Sequence, residues 1–334
     1  MDEYQALLLV SFGAPERAED VMPFLKRVTA GRGVPDSRVA EVAEHYYAAG
    51  GASPLNAQCR ALMGALRTEL ADLDLRLYWG NRNWHPLLDD TLSQMRDDGI
   101  ERALAFVTSA YGGYSSCRQY LDDISSARQH VGDGAPVVDK LRLYYNHPGW
   151  VGPWAAHLAD ALEVAGRTEA DRRRNGGTQV MFTAHSTPVA VASASPYVEH
   201  VTESSRLVAQ KAGVTSWQLA WQSRSGAPSS PWLGPGVKQV IKGSAAGTVV
   251  VVPIGFVCDN MEIIHDLDVE AAAAAEEKGA KYVRAATVCT DPAFIAMVRE
   301  LVQERLDPTV TRRSLGRYGP WPDCCPLGHC PGGR

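Results

Sequence analysis

Near the start of the chain the stretch "YQALLLVSFG", residues 4–13, is an almost unbroken apolar run closed by a glycine. That pattern predicts a strand buried on both faces rather than an amphipathic helix. Similar runs predict further strands: "LRLYWG" at 75–80, "ALAFVTSAY" at 103–111, "QVMFTAHS" at 179–186, "SWQLAWQS" at 216–223, "TVVVVPIGFV" at 248–257 and "KYVRAATV" at 281–288. Between most of them the apolar positions fall at helical spacing, as at 55–70, 87–97, 154–165, 196–211 and 261–278. Strands alternating with helices predict an α/β architecture with parallel sheets.

The alternation is roughly duplicated. Early strands end in "SFGAP" and "TSAYGGYSS"; later ones end in "TAHSTP" and "PIGFVCDN". The expected organisation is two similar Rossmann-like lobes, 1–150 and 151–310, meeting near "NHPGWVG", followed by an extension at 311–334. Open α/β sheets bind ligands beyond the carboxyl ends of their strands, so a cleft between the lobes is the expected site. Neither GxGxxG nor GxxxxGK[ST] follows the first strand, which argues against nucleotide enzymes of those kinds.

Composition narrows the picture. With 334 residues, 45% of them hydrophobic, the chain has ample material for a core. A formal net charge of -5 and no long basic run do not favour a nucleic-acid partner, and "DRRRN" at 171–175 reads as a solvated loop. No apolar run reaches membrane-spanning length, and Asp2 and Glu3 precede the first strand, so a cytoplasmic protein is expected. In a reducing compartment the seven cysteines are thiols or metal ligands before they are disulfides.

Three features can carry chemistry. His185, directly after a strong strand in "FTAHSTP", stands at a sheet edge where an imidazole can take a proton or ligate a metal; the plain alternative is a hydrogen-bonded loop histidine. Glu262, Asp266 and Glu270 recur every four residues, with His265 near the same side. They form either a solvated helix face or a carboxylate ridge suited to a transient divalent cation. Trp217, Trp221, Trp232 and a group of tyrosines in the first half permit a flat, largely apolar ligand. Cys59, Cys258 and Cys289 read as buried packing. Cys324, Cys325 and Cys330 instead sit in "GPWPDCCPLGHCPGG", which lacks the apolar residues to bury them, and His329 can complete a local Cys3His zinc site.

"LLLVSFGAP", "YYAAGGASPLN", "FTAHSTP", "WQSRSGAPSSPWLGP" and "VVPIGFVCDNMEIIHDLDVEA", in this order, resemble the ferrochelatase family, and within it the actinobacterial type taken to act on coproporphyrin III. The resemblance implies a chelatase-like fold and an enzyme inserting ferrous iron into the porphyrin to give coproheme III for a downstream haem-pathway enzyme. It implies that His185 and Glu262 face one another across the macrocycle, and that Asp266 and Glu270 line the path of the metal. Phe12 stands where some relatives have an iron-facing tyrosine, and Asn260 where many have a histidine. Arg32, His45, Ser53 and Tyr120 fall at propionate-binding positions. The family also implies a 2Fe-2S cluster on Cys117, Cys324, Cys325 and Cys330, and with it a 311–334 extension that packs on the first lobe, although the C-C-x4-C spacing departs from that of some relatives. Rival readings are a protoporphyrin IX enzyme, a cobalt or nickel tetrapyrrole chelatase, and a haem carrier. The absence of an apolar extension favours a monomer.

Overall fold

In the computed structural model, which describes residues 3–31, 33–166, 177–225, 230–325 and 328–331, the apolar runs form two four-stranded parallel sheets. The first contains β1 (Ala6–Ser11), β2 (Arg76–Asn81), β3 (Arg102–Val107) and β4 (Val137–Lys140) in the order β2-β1-β3-β4. The second contains β5 (Thr178–His185), β6 (Gln218–Gln222), β7 (Thr248–Val252) and β8 (Lys281–Arg284) in the equivalent order β6-β5-β7-β8. Arg32 and the 171–175 arginine run lie outside the described residues.

The unbroken apolar character of β1 follows from its central position. Ala6, Leu8 and Val10 meet Leu92, Met95 and Ile124 on one face, while Leu7 and Leu9 meet Leu62 and Leu66 on the other. β7 repeats this arrangement, with Val249 and Val251 against Ile263 and Leu267, and Val250 and Val252 turned to the opposite face. A strand covered on both sides by helices has no solvent face to encode, so alternation disappears. β4 escapes the apolar pattern because it is a short edge strand whose residues are half-buried or exposed. The run at 103–111 overshoots its strand: pairing stops at Val107, and 108–111 turn into the loop beyond the sheet.

The two halves are tied together. α1 (Leu55–Glu69) and α2 (Pro148–Ala165) both pack against the last helix, Pro292–Leu306, which crosses back to the first half. There Arg299 Nη1 lies 2.6 Å from Asp72 Oδ1. Trp150, Tyr144 and Phe294 form a fully buried aromatic group beside this crossing. Arg142, also fully buried, makes a two-pronged pair with Glu304 and donates to the Arg313 carbonyl at 2.9 Å. Leu315 N–H then bonds the Asn146 carbonyl, and Asn146 Nδ2 bonds the carbonyls of Tyr318 and Gly319. The extension therefore runs along the 142–146 connection, and it continues onto the Tyr197–Lys211 helix, where Trp321 meets His200. Among the described residues, no helix is long and apolar enough to cross a membrane.

Candidate active site

His185 is the last residue of β5, and its side chain leaves the carboxyl edge of the second sheet. Its backbone carbonyl accepts from the Tyr197 hydroxyl at 2.9 Å, and its Nδ1 lies against the Ser186 carbonyl. With Nδ1 donating to that carbonyl, Nε2 faces Glu262 Oε1 at 3.4 Å. Gly255 makes this approach possible. A Cβ there would sit 2.7 Å from Ala184 Cα, so only glycine lets the loop after β7 lie against the end of β5.

Glu262 is carried by a helix whose first turn is capped by Asn260, the side chain of which accepts from the Ile263 N–H at 3.0 Å. The helix runs as an α-turn at Met261–Ile263, a π-helical segment at Ile264–Ala271 and a further α-turn at Ala272–Glu276. The wider π-turn changes the facing of its side chains, and His265, Asp266 and Glu270 present ligand atoms all within 4.8 Å of one another. Each acid has a further partner. Ser223 Oγ donates to Asp266 Oδ2 at 2.5 Å, and Lys238 Nζ lies 2.8 Å from Glu270 Oε1. Ser223 holds a left-handed backbone (φ 60), a conformation costly for a residue with a Cβ, and its neighbour Gln222 donates to the Glu262 carbonyl at 3.3 Å.

The electrostatics follow from burial and pairing. Burial pulls the His185 pKa down, but the Glu262 carboxylate outweighs it and raises the imidazole to about 9, so His185 is an imidazolium at neutral pH. Burial would raise Glu262, yet His185 holds it below its ordinary range. Asp266 is pushed up to about 6, by burial first and by Glu262 and Glu270 next, against the lowering bond from Ser223. One charged pair and one easily protonated acid therefore stand side by side. The arrangement can move a proton along the row and can hold a cation at its outer end.

The first half supplies the remaining sequence-predicted residues that lie among the described ones. His45 stacks on His265 with centroids 3.6 Å apart and planes 12° from parallel, so it reaches the ridge rather than standing alone. Burial first, then His265 and Arg38, lower the His45 pKa, against the raising effect of Glu270 and Glu41. Phe12 is exposed, and Tyr120 is buried; Arg82 bridges them, lying 4.6 Å above the Tyr120 ring and 5.6 Å from that of Phe12. Ser53 is buried, with its N–H bonded to the Pro15 carbonyl. Sequence reasoning did not single out Ser223, Gln222 or Tyr197. Ser223 and Gln222 lie inside the quoted "WQSRS" stretch, but nothing in spacing reveals which side chain a strand end aims at a neighbouring helix.

The cysteines form two groups. Cys117 is buried in a π-helical turn, Tyr114–Arg118, Cys330 is buried, Cys325 is half-buried and Cys324 is exposed. Burial and the nearby Cys325 raise the Cys117 thiol, while burial, Cys117 and Cys325 push Cys330 up to about 11. One thiol of the first half and two of the tail thus lie near enough to affect one another's charge. Trp321 Nε1 donates to Cys325 Sγ at 3.4 Å, and His329 Nδ1 lies 3.0 Å from Cys330 Sγ. Cys59, Cys258 and Cys289 are buried elsewhere, as packing predicts.

Two parallel sheets of the same strand order, with polar loops at their carboxyl edges, define the chelatase fold. SirB from Bacillus subtilis, solved with Fe3+, superimposes with a TM-score of 0.53 at 11% identity, covering 91% of this chain and 97% of that one. DR2241 from Deinococcus radiodurans, described as structurally similar to chelatases, gives 0.52 at 15% identity, over 89% of this chain and 55% of that one. A family model described as ferrochelatase matches residues 4–306, and the chain belongs to the ferrochelatase family, enzymes that insert iron into a porphyrin. A ferrochelatase of Rhodopirellula baltica is 47% identical over 98% of this chain and 93% of its own. Coproporphyrin III ferrochelatases of Nocardia farcinica and Streptomyces griseus are 48% and 45% identical, over 92% and 98% of this chain and 90% and 93% of theirs.

Proposed function

We propose that this protein inserts ferrous iron into coproporphyrin III, yielding coproheme III and two protons, in the haem biosynthesis of the cytoplasm. The names of its Nocardia and Streptomyces relatives support the substrate; the observation that supports the chemistry is the His185–Glu262 pair, 3.4 Å apart, at the head of an acidic row. In this reading the lobes are 1–150 and 151–310, the macrocycle lies in the cleft between them, and the product passes to a downstream haem-pathway enzyme. The protein works as a monomer.

Insertion breaks two pyrrole N–H bonds and forms bonds from the ring nitrogens to iron, so the site must accept protons while delivering a cation. His185 rests as an imidazolium and cannot accept a proton until it gives one up. Glu262 is its nearest acceptor, and Asp266, raised to about 6, is the next acid in the row. His185 and Glu262 are accordingly the catalytic residues, with protons leaving along the row that iron enters. Asp266 and Glu270 are the metal path, an oxygen-rich set that suits an ion in transit better than thiolates do. Phe12, Arg32, His45, Ser53 and Tyr120 contact the substrate, of which Arg32, His45, Ser53 and Tyr120 take its propionates. Binding the rest of the ring supplies the energy to bend the macrocycle toward the metal.

The extension at 311–334 carries a 2Fe-2S cluster on Cys117, Cys324, Cys325 and Cys330. What supports this set is that Cys325 raises the Cys117 thiol and that Cys117 and Cys325 raise that of Cys330, so thiols of the first lobe and the tail lie near one another; among the described residues no three of these ligand atoms come within 4.8 Å of one another, so binding would have to draw them together. When bound, the cluster supplies a crosslink and a redox-sensitive group. With all four thiolates committed, it gives substrate iron no open position.

Purified protein given ferrous iron and either coproporphyrin III or protoporphyrin IX, followed by absorption, is expected to metallate coproporphyrin III at least tenfold faster. Equal rates, or a preference for protoporphyrin IX, would overturn the substrate assignment. The His185→Ala variant is expected to bind coproporphyrin III with unchanged affinity while losing most of its turnover; near-normal turnover would remove His185 from the mechanism.

A further inference from the structure

Cys258 and Cys289 lie in the loops that follow the neighbouring strands β7 and β8, and their Sγ atoms are 3.1 Å apart, with the Cys258 thiol donating to Cys289. The Cys289 N–H is bonded to the Val257 carbonyl at 2.9 Å, so the two loops are held side by side. A third thiol, Cys59 of α1, comes from the first half of the chain and lies near Cys258, donating to Ser11 Oγ at 3.4 Å. Among the described residues, the only three potential ligand atoms within 4.8 Å of one another belong to His265, Asp266 and Glu270. The thiols are therefore a chain centred on Cys258 rather than a metal cage. A buried cysteine ordinarily packs as a small apolar residue, but two sulfurs this close need move only roughly 1 Å to reach the length of about 2.05 Å of a disulfide.

We propose that Cys258 and Cys289 are a redox-active dithiol that hydrogen peroxide closes into a disulfide, a modification that restrains the segment leading to Glu262. Cys289 is the first sulfur oxidised: it is 8% exposed against 3% for Cys258, and it accepts the hydrogen bond between them. Its sulfur attacks one peroxide oxygen, the O–O bond breaks, and a sulfenic acid forms with loss of one water. Cys258 sulfur then attacks the sulfenic sulfur, the S–O bond breaks, and a second water leaves as the S–S bond forms. Two thiols lose two electrons and peroxide gains two.

The consequence is local. Asp259, next to Cys258, bonds Gln58 Oε1 through its N–H at 2.8 Å and holds Arg284 and Thr287 through its carboxylate. Asn260 then caps the helix carrying Glu262. Drawing Cys258 toward Cys289 moves this anchored segment, and misplacing a reacting group by about 1 Å can cost roughly a hundredfold in rate.

The full-length protein is treated with a small excess of hydrogen peroxide, free thiols are alkylated, and tryptic peptides are read by mass spectrometry. Cleavage at Lys278, Lys281 and Arg284 separates the two cysteines, so the disulfide joins two peptides. The expected result is a Cys258–Cys289 crosslink that dithiothreitol reverses, retained in Cys59→Ser and absent in Cys289→Ser and Cys258→Ser. Absence of that crosslink from the wild type, oxidation of either thiol to sulfinic acid without it, or a dominant Cys59–Cys258 bridge would overturn the proposal. The activity arm rests on the iron-insertion reading: oxidation should lower turnover at least tenfold, and Cys289→Ser should keep full activity before peroxide and most of it afterwards. Equal loss in Cys289→Ser would remove the regulatory consequence. The crosslink is read without any turnover, so its failure is distinct from failure of the functional assignment.

Discussion

His185 and Glu262 set each other's charge. The imidazole is raised from 6.5 to about 9 because Glu262 is charged and close, and burial alone would have moved it the other way. Replacing Glu262 by glutamine should drop the His185 titration, followed by NMR, well below about 9, because burial is then opposed only by the Ser186 carbonyl and Asp266. An unchanged titration near 9 would show that another group holds the proton. Because the folded pKa lies above the unfolded one, the stabilisation from this pair is complete below about 6.5 on the basic side and is lost as pH rises through about 9. Both residues were legible in the sequence as candidates, one at a strand end and one at the head of an acidic row. Their pairing was not, because 77 residues separate them and only the Gly255 approach brings the loop to the strand.

At the level of elements, the acidic helix works through its neighbours. Its four-residue spacing was readable as a ridge, but the π-turn that gathers His265, Asp266 and Glu270 was not, since no composition rule distinguishes it from ordinary helix. Ser223, at the edge of β6, contributes the bond that keeps Asp266 from rising further. Ser223→Gly removes the hydroxyl while keeping, or easing, the left-handed backbone. The variant should therefore raise the Asp266 pKa above about 6 and shift the acid limb of the pH–rate profile upward, with little change at pH 8. An unmoved acid limb would take Asp266 out of the rate-determining ionisation.

Across the whole molecule, the extension and the last helix join what the strand order divides. Arg142 and Glu304 are paired in the interior, Asn146 receives the returning chain, and Cys117 lies near enough to Cys330 to raise its thiol. Cys330→Ser is expected to abolish the visible iron-sulfur absorption and to lower the thermal midpoint, because a crosslink closing more than two hundred residues restricts the unfolded chain. Full cluster iron in that variant would sink the ligand assignment. A loss of absorption with an unchanged midpoint would leave the cluster a sensor rather than a staple.

The amino-acid sequence by itself determined the strands buried on both faces, the repetition of the α/β pattern, the polar loops at strand ends and the family. These are properties of local periodicity and of short ordered motifs, which survive without knowledge of contacts. Tertiary structure decided which loops meet: His185 against Glu262, His45 over His265, Ser223 on Asp266, and Cys258 beside Cys289. Those meetings set charge and reactivity, because an ionisable or nucleophilic group takes its properties from neighbours a few ångströms away in space, however distant they are along the chain.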